Sequence, residues 1–311
     1  IMKKKITPAG IDIVVCEVGL RDGLQNAKSV MPTNIKQEWI SSQVKAGFKE
    51  MEICSFVPSG VIKGMEDAAE IVTYALQFEG LIVAALAPNY RGAKDAIEAG
   101  SMKVSLPVSV SEAHSQSNVK KTKAEMIYEV YKVCKYRNRR SSQALPIIEV
   151  GLSTSFGCMI QGEIPERDVI ETAILCIESG ADEVVLSDTA GMASPSKVKR
   201  LFKSVRAEIG AAISGVHLHN TNGLGLVNAL AAIEAGATAL DSSLGGLGGC
   251  PFAPGATGNI VTEDLVYLLE AEGLRTGVNL DKLLECRAIV KKGLPDDELY
   301  GYWAQMREKK S

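Results

Sequence analysis

Short apolar runs recur along this chain, each closed by glycine, proline or polar residues and followed by a stretch with helical spacing. The runs fall at 12–18, 50–56, 81–87, 103–107, 147–152, 183–187, 215–219 and 239–243. Between them, apolar residues repeat at three and four positions over 33–46, 65–77, 90–98, 123–138, 167–179, 195–209 and 224–235, the spacing of a helix with one buried face. Several of these segments end on the same signal, a glycine just past the last turn, as in Lys45-Ala46-Gly47, Glu98-Ala99-Gly100, Glu178-Ser179-Gly180 and Glu234-Ala235-Gly236. Strand, helix, glycine, strand is the signature of parallel βα units with right-handed crossovers. Eight such units predict an α/β fold, a closed (β/α)8 TIM barrel, rather than an open sheet. The first strand is not followed by G-x-G-x-x-G, which argues against a dinucleotide-binding sheet.

Beyond the eighth strand comes a glycine-rich loop, 245–258, and then two further helical patterns at 262–272 and 279–292. Residues 1–311 thus read as one catalytic barrel domain with additional C-terminal helices, an appendage from about 274, and a loose charged tail at 307–311. A chain that is 46% hydrophobic and 23% charged can bury a large core. A net charge of −3 predicts no nucleic acid and no anionic membrane as partner. The seven cysteines lack a C-x-x-C pair, so they suggest free thiols in a reducing cytoplasm, with Cys16, Cys54, Cys134 and Cys176 as core fillers. No apolar run is long enough to span a bilayer, and the start, Ile1-Met2-Lys3-Lys4-Lys5-Ile6, lacks the apolar core of a signal peptide.

Catalytic groups of such barrels project from the C-terminal ends of the strands. In Gly215-Val216-His217-Leu218-His219-Asn220 the two histidines alternate along a strand, so both face one object while Val216 and Leu218 face apolar packing. Strands seven, eight and one are neighbours in a closed barrel, which lets Asp22, His217, His219 and Asn259 converge. Two imidazoles, a carboxylate and an amide oxygen suit a divalent cation such as Mg²⁺ or Mn²⁺. Arg21 sits beside this cluster, placed for an anionic oxygen. Glu52, a charge inside the run Met51-Glu52-Ile53-Cys54, needs a base such as Arg21. Asp188 pairs with a base or contacts substrate. Gln25, Ser55 and Ser111 are further substrate contacts at strand ends. Cys250, in Gly248-Gly249-Cys250-Pro251, is a thiol on a flexible loop, suited to act as a mobile acid.

Cation, arginine and thiol together suggest retro-Claisen cleavage of a 3-hydroxyacyl thioester: a polarised hydroxyl, a stabilised enolate and an acid to protonate it. Three segments carry a close resemblance to a known family. They are Glu17-Val18-Gly19-Leu20-Arg21-Asp22-Gly23-Leu24-Gln25-Asn26, the run from Asp241 to Phe252, and Gly258-Asn259 with Thr262-Glu263-Asp264-Leu265-Val266. From Val14 to about Leu284 the chain resembles the hydroxymethylglutaryl-CoA lyases. The resemblance implies Asp22, His217, His219 and Asn259 as metal ligands, Arg21 on the enolate, and Cys250 as catalytic thiol. Gln25, Glu52 and Asp188 become supporting polar groups, and His217 also handles protons. It further implies Mg²⁺ or Mn²⁺, an acyl-CoA substrate cleaved to acetyl-CoA and acetoacetate, and a homodimer or larger homo-oligomer.

Two departures stand out. Better-known members have Asp-Thr-Tyr-Gly after the second histidine, where this chain has Asn220-Thr221-Asn222-Gly223. An aromatic residue of strand five is replaced by Gly151, which enlarges or re-polarises the acyl pocket. A related branched 3-hydroxyacyl-CoA, citramalyl-type or isoprenoid-derived, is therefore the alternative substrate. A condensing synthase is a weaker alternative, because such relatives carry a C-terminal regulatory domain for which the residues after Gly293 leave no room.

Overall fold

The glycine stops do what the sequence asks of them. Gly47 adopts a left-handed conformation (φ +112°), and its amide closes on Gln43 and Val44 carbonyls at 3.1 and 3.0 Å. A Cβ there would lie 2.1 Å from the Gly277 carbonyl oxygen, so no other residue fits. In the computed structural model, which describes residues 8–58, 60–140, 144–248 and 258–308, each such stop returns the chain to a strand. The strands are β1 (Val14–Glu17), β2 (Glu50–Ser55), β3 (Ile82–Leu86), β4 (Lys103–Ser109), β5 (Ile147–Ser153), β6 (Glu183–Asp188), β7 (Ile213–Leu218) and β8 (Ala239–Ser242). All pair in parallel and in chain order, and β8 pairs back onto β1, closing the barrel.

The first helices are α1 (Thr33–Ala46), α2 (Ala68–Ala75), α3 (Tyr90–Ala99), α4 (Glu112–Val119), α5 (Lys123–Asn138) and α6 (Glu166–Glu178). They are followed by α7 (Pro195–Ile209), α8 (Gly225–Glu234), α9 (Thr262–Ala271), α10 (Leu280–Gly293) and α11 (Tyr302–Glu308). The α1, α5 and α7 bounds are those the periodicity predicts. The short α4 was not anticipated, because it buries only Ser115 and so has no apolar stripe to read. The expected loose tail is corrected in part. Arg307 belongs to α11 and lies over the Trp303 ring, and the Asp264 carboxylate accepts the Tyr302 and Trp303 amides at 3.0 and 2.8 Å. The appendage helix α10 packs on α1: the Asn279 amide bonds the Ala46 carbonyl at 2.7 Å, and Cys286 meets Ser42 at 3.1 Å.

The main core lies between strands and helices, where Trp39, Ile40, Val198 and Phe202 are fully buried. The barrel interior is different. At its N-terminal end Lys103 Nζ lies 2.5 Å from Glu50, 3.1 Å from Glu149 and 3.3 Å from Glu183, a buried charge cluster that forms the barrel's floor. Burial pushes the Glu149 carboxyl up to about 7, although Lys103 opposes that rise. Cys54, Cys134 and Cys176 are buried core residues, as expected. Cys16 is buried too, but faces the interior cavity rather than the helix layer.

At the opposite rim Glu17, the last residue of β1, is wholly buried. Its Oε1 accepts the amides of Gly19 and Leu244 at 2.9 Å each, and its Oε2 accepts the Thr262 hydroxyl at 2.8 Å. One carboxyl thereby ties the β1 loop, the β8 loop and the start of α9. Burial pushes it up to about 8 in spite of those donors. The folded protein therefore holds a proton that the unfolded chain releases near 4.5, and stability contributed by this group falls as pH rises through that window. Comparing thermal midpoints across it should show a steeper fall for the parent protein than for Glu17→Gln, which cannot ionise. Parallel profiles would remove Glu17 as the cause.

Candidate metal centre and active-site cavity

The chain leaves β1 through a π-helical turn, Gly19–Gly23, rather than an α-helical one. The Asp22 amide bonds the Val18 carbonyl at 2.7 Å, and the wide turn aims Arg21 and Asp22 inward. On β7 the alternation works as predicted: Val216 and Leu218 are buried in the core, while His217 and His219 face the barrel mouth. A single bridge pairs His219 with Asn259, and the Asn220 amide bonds the Gly258 carbonyl at 2.7 Å, which brings the end of the β8 loop to the same place.

One ligand atom from each of Asp22, His217 and His219 lies within 4.8 Å of the others, a group able to hold a metal ion. The two Nε2 atoms are 3.2 Å apart, and Asp22 Oδ2 is 4.0 Å from the first and 3.8 Å from the second. Asn259 joins them by donating its Nδ2 to Asp22 Oδ2 at 2.6 Å and to the Leu247 carbonyl at 3.1 Å. Presenting the amide oxygen to a cation, as the sequence reading supposes, requires that amide to turn over. Gly248 packs so closely here that a Cβ would lie 2.8 Å from Asn259 Nδ2, and its φ of +96° also favours glycine.

Arg21 bonds Glu52 through Nε and Asp22 through a terminal nitrogen, which answers the question of what balances the Glu52 charge. Burial works against ionising Asp22, yet Arg21 and the two imidazoles outweigh it and hold the carboxyl well below the usual range. Burial raises Glu52 despite Arg21. Asp241, which the sequence reading missed, accepts His217 Nδ1 at 3.0 Å. Burial alone would lower His217; the Asp241 bond more than offsets it and raises it. With Nδ1–H given to Asp241, the Nε2 lone pair is free to face a cation, the carboxylate–histidine arrangement common behind metal ligands. The donor set therefore fits a divalent cation: anionic oxygen, two imidazole nitrogens and a neighbouring amide.

A cavity of about 790 Å³ opens above these residues and continues down the barrel axis to the floor. Arg21, Asp22, Gln25, Glu52, His217 and His219 all line it. Three expected site residues are placed elsewhere. Asp188 ends β6, but its oxygens accept the Met192 and Ala193 amides at 2.8 and 2.9 Å, so it shapes the β6 loop. The Ser111 hydroxyl caps α4 through the His114 amide at 3.1 Å and donates to Gln161 at 2.8 Å. Ser55 is buried at the end of β2, off the cavity. Cys250 lies outside the described residues. At the mouth the cavity meets His114, Lys120 and Lys121, which no local motif marks.

Fold and site together define a barrel with a group able to hold a metal ion beside an arginine, the equipment of a carbon–carbon lyase. The HMGL-like family model matches residues 12–290. A hydroxymethylglutaryl-CoA lyase of Bacillus subtilis is 37% identical over 272 residues, 88% of this chain and 90% of its own. The cytoplasmic 3-hydroxy-3-methylglutaryl-CoA lyase of Homo sapiens is 37% identical over 284 residues, 90% of this chain and 76% of its own. The crystal structure of the B. subtilis lyase superposes with a TM-score of 0.90 at 34% identity, covering 97% of this chain and all (100%) of that one. An Acinetobacter baumannii HMG-CoA lyase solved with coenzyme A and 3-methylmalate gives 0.87 at 36% identity, covering 96% of each chain. The chain belongs to the HMGL-like family, as its β1 and β8 motifs led us to expect.

Replacing Asp241 by Asn should leave the barrel folded but loosen the imidazole behind the cation site. Titration calorimetry with Mn²⁺ is expected to show affinity reduced by about 10–100-fold. Unchanged affinity would mean that Asp241 only packs against His217.

Proposed function

We propose that this protein is a Mg²⁺- or Mn²⁺-dependent lyase that cleaves 3-hydroxy-3-methylglutaryl-CoA to acetyl-CoA and acetoacetate. The observation that carries the reading is the convergence of Asp22, His217 and His219 on one point, with Arg21 bonded to Asp22 at the edge of it. Asp22, His217 and His219, with Asn259 beside them, would hold the cation. The bound cation supplies Lewis acidity, lowering the pKa of a hydroxyl and neutralising oxygen charge.

The remaining chemistry belongs to the chain. The C3 hydroxyl loses its proton, the C2–C3 bond breaks, C3 becomes a ketone, and the electron pair becomes a thioester enolate at C2. Arg21, already fixed by Glu52, faces that enolate oxygen without having to reorganise. His217 is assigned the hydroxyl proton at Nε2 while its Nδ1–H stays on Asp241, so at any one moment this imidazole serves either as base or as ligand. Cys250 is assigned the return of a proton to C2, from a loop whose described end, at Gly248, already reaches the cavity. Gln25 at the mouth is assigned a substrate contact. Lys120 and Lys121 give the mouth a positive character that suits the phosphates of a coenzyme A ester. Asp188 supports the site at one remove, through the loop it fastens, and Ser111 does so through α4. The reading includes a cytoplasmic homodimer or larger homo-oligomer, following the family resemblance. Among the described residues no helix is long and apolar enough to cross a membrane.

Incubation of the purified protein with 3-hydroxy-3-methylglutaryl-CoA, followed by mass spectrometry, tests the reaction. Chelation should abolish turnover and added Mg²⁺ or Mn²⁺ should restore it. Arg21→Met should lower kcat by about 10²–10³-fold, the usual cost of one oxyanion donor, and should also lower the thermal midpoint, because Glu52 and Asp22 lose their guanidinium partner. Condensation of acetyl-CoA with a keto acid, and no cleavage, would make the protein a synthase instead.

A further inference from the structure

TIM-barrel interiors are usually packed shut by layers of Val, Ile and Leu. Here the lining below the cation site includes Cys16, Glu52, Leu86 and Pro107, but several positions facing the axis are small. Ala84 of β3, Ser105 of β4, Gly151 of β5, and Val185 and Ser187 of β6 all line the cavity. Gly151 is the widest gap: a Cβ built on it meets only Ser187 Oγ, at 3.8 Å. Its backbone is not left-handed, so no conformational demand calls for glycine there. The missing side chain makes space and does nothing else.

The register shows where that space leads. Gly151 pairs with Val185, Val185 pairs with Gly215, and Ser187 pairs with His217. Gly151 therefore lies one interior layer beneath the imidazole that faces the cation. From Ser153 at the rim to Glu149 at the floor is four residues of β5, roughly 13 Å of strand at the usual rise. The floor is the cluster in which Lys103 faces Glu50, Glu149 and Glu183, more carboxyl groups than cations. An anionic group would be repelled there, whereas Lys120 and Lys121 at the mouth attract one. An acyl group bound at the cation thus keeps its carboxylate near the mouth and sends a neutral substituent down the shaft.

We propose that the enzyme accepts 3-hydroxyacyl-CoA thioesters whose neutral branch at C3 is longer than methyl, and that Gly151 is the residue that admits the branch. This rests on the lyase reading above and adds the length and charge of the branch. A well-packed alternative residue would stop the shaft just beneath the reacting carbon, leaving room for a methyl group only.

The test compares 3-hydroxy-3-methylglutaryl-CoA with its 3-hexyl analogue as substrates of the Mg²⁺-loaded enzyme. The parent protein is expected to cleave both, with kcat/KM for the hexyl thioester at least equal to that for the methyl one. Gly151→Leu should lower the hexyl-to-methyl ratio of kcat/KM by at least about tenfold, the scale on which a blocked pocket discriminates. Ala84→Leu, which enters the shaft from another strand, should move the ratio the same way. Mn²⁺ affinity and thermal midpoint near parental values would show that either variant retains its fold and site. Cleavage of the methyl thioester alone, or a ratio unmoved by both variants, overturns the shaft while leaving the lyase standing. Failure to cleave either thioester overturns both.

Discussion

The buried carboxyl of Glu17 is the constraint on which the working end of the barrel depends. A carboxyl group stripped of water has to find donors inside the protein, and leaving one of its partners unmatched costs about 1–3 kcal/mol. Its donors come from three segments far apart in sequence: Gly19 beside Arg21 and Asp22, Leu244 in the loop leading towards Cys250, and Thr262 just beyond Asn259. Satisfying one side chain therefore sets the mutual positions of the arginine, the acidic ligand, the start of the loop after β8 and the amide. The barrel supplies the platform, and Glu17 supplies the alignment on it.

Charge balance explains why the site calls for a cation. Asp22, Glu52 and Asp241 surround a single guanidinium, and Arg21 bonds two of the three. Asp22 stays ionised in spite of its burial because Arg21 and the imidazoles favour the charged form. The arrangement keeps one anionic oxygen aimed at two imidazole nitrogens, an arrangement that a divalent ion completes.

The fold was legible because its signals are local. Helical spacing and a glycine stop can be read within one segment, which is why α1, α5 and α7 appear where the pattern puts them. The histidine pair was legible for the same reason, since alternation along one strand decides its direction. What could not be read depends on partners in other strands. Lys103 reads as the start of an apolar run until Glu50, Glu149 and Glu183 are brought around it by closure. Asp241 reads as a strand residue until β7 lies alongside. Asp188 and Ser111 show the converse: polar groups at strand ends have loops to fasten and helices to cap as well as substrates to meet, and composition does not say which.

The C-terminal helix carries a lesson of its own. Arg287 of α10 donates to Glu263 Oε1 at 2.6 Å, and the other oxygen of Glu263 holds the Gly245 amide at 2.9 Å. A helix that looks like baggage outside the barrel is thus wired, through one ion pair, to Gly245 at the start of the loop after β8. Trimming the chain to a minimal barrel would strand a naked carboxylate beneath Gly245, and damage far from any substrate would present itself as lost chemistry.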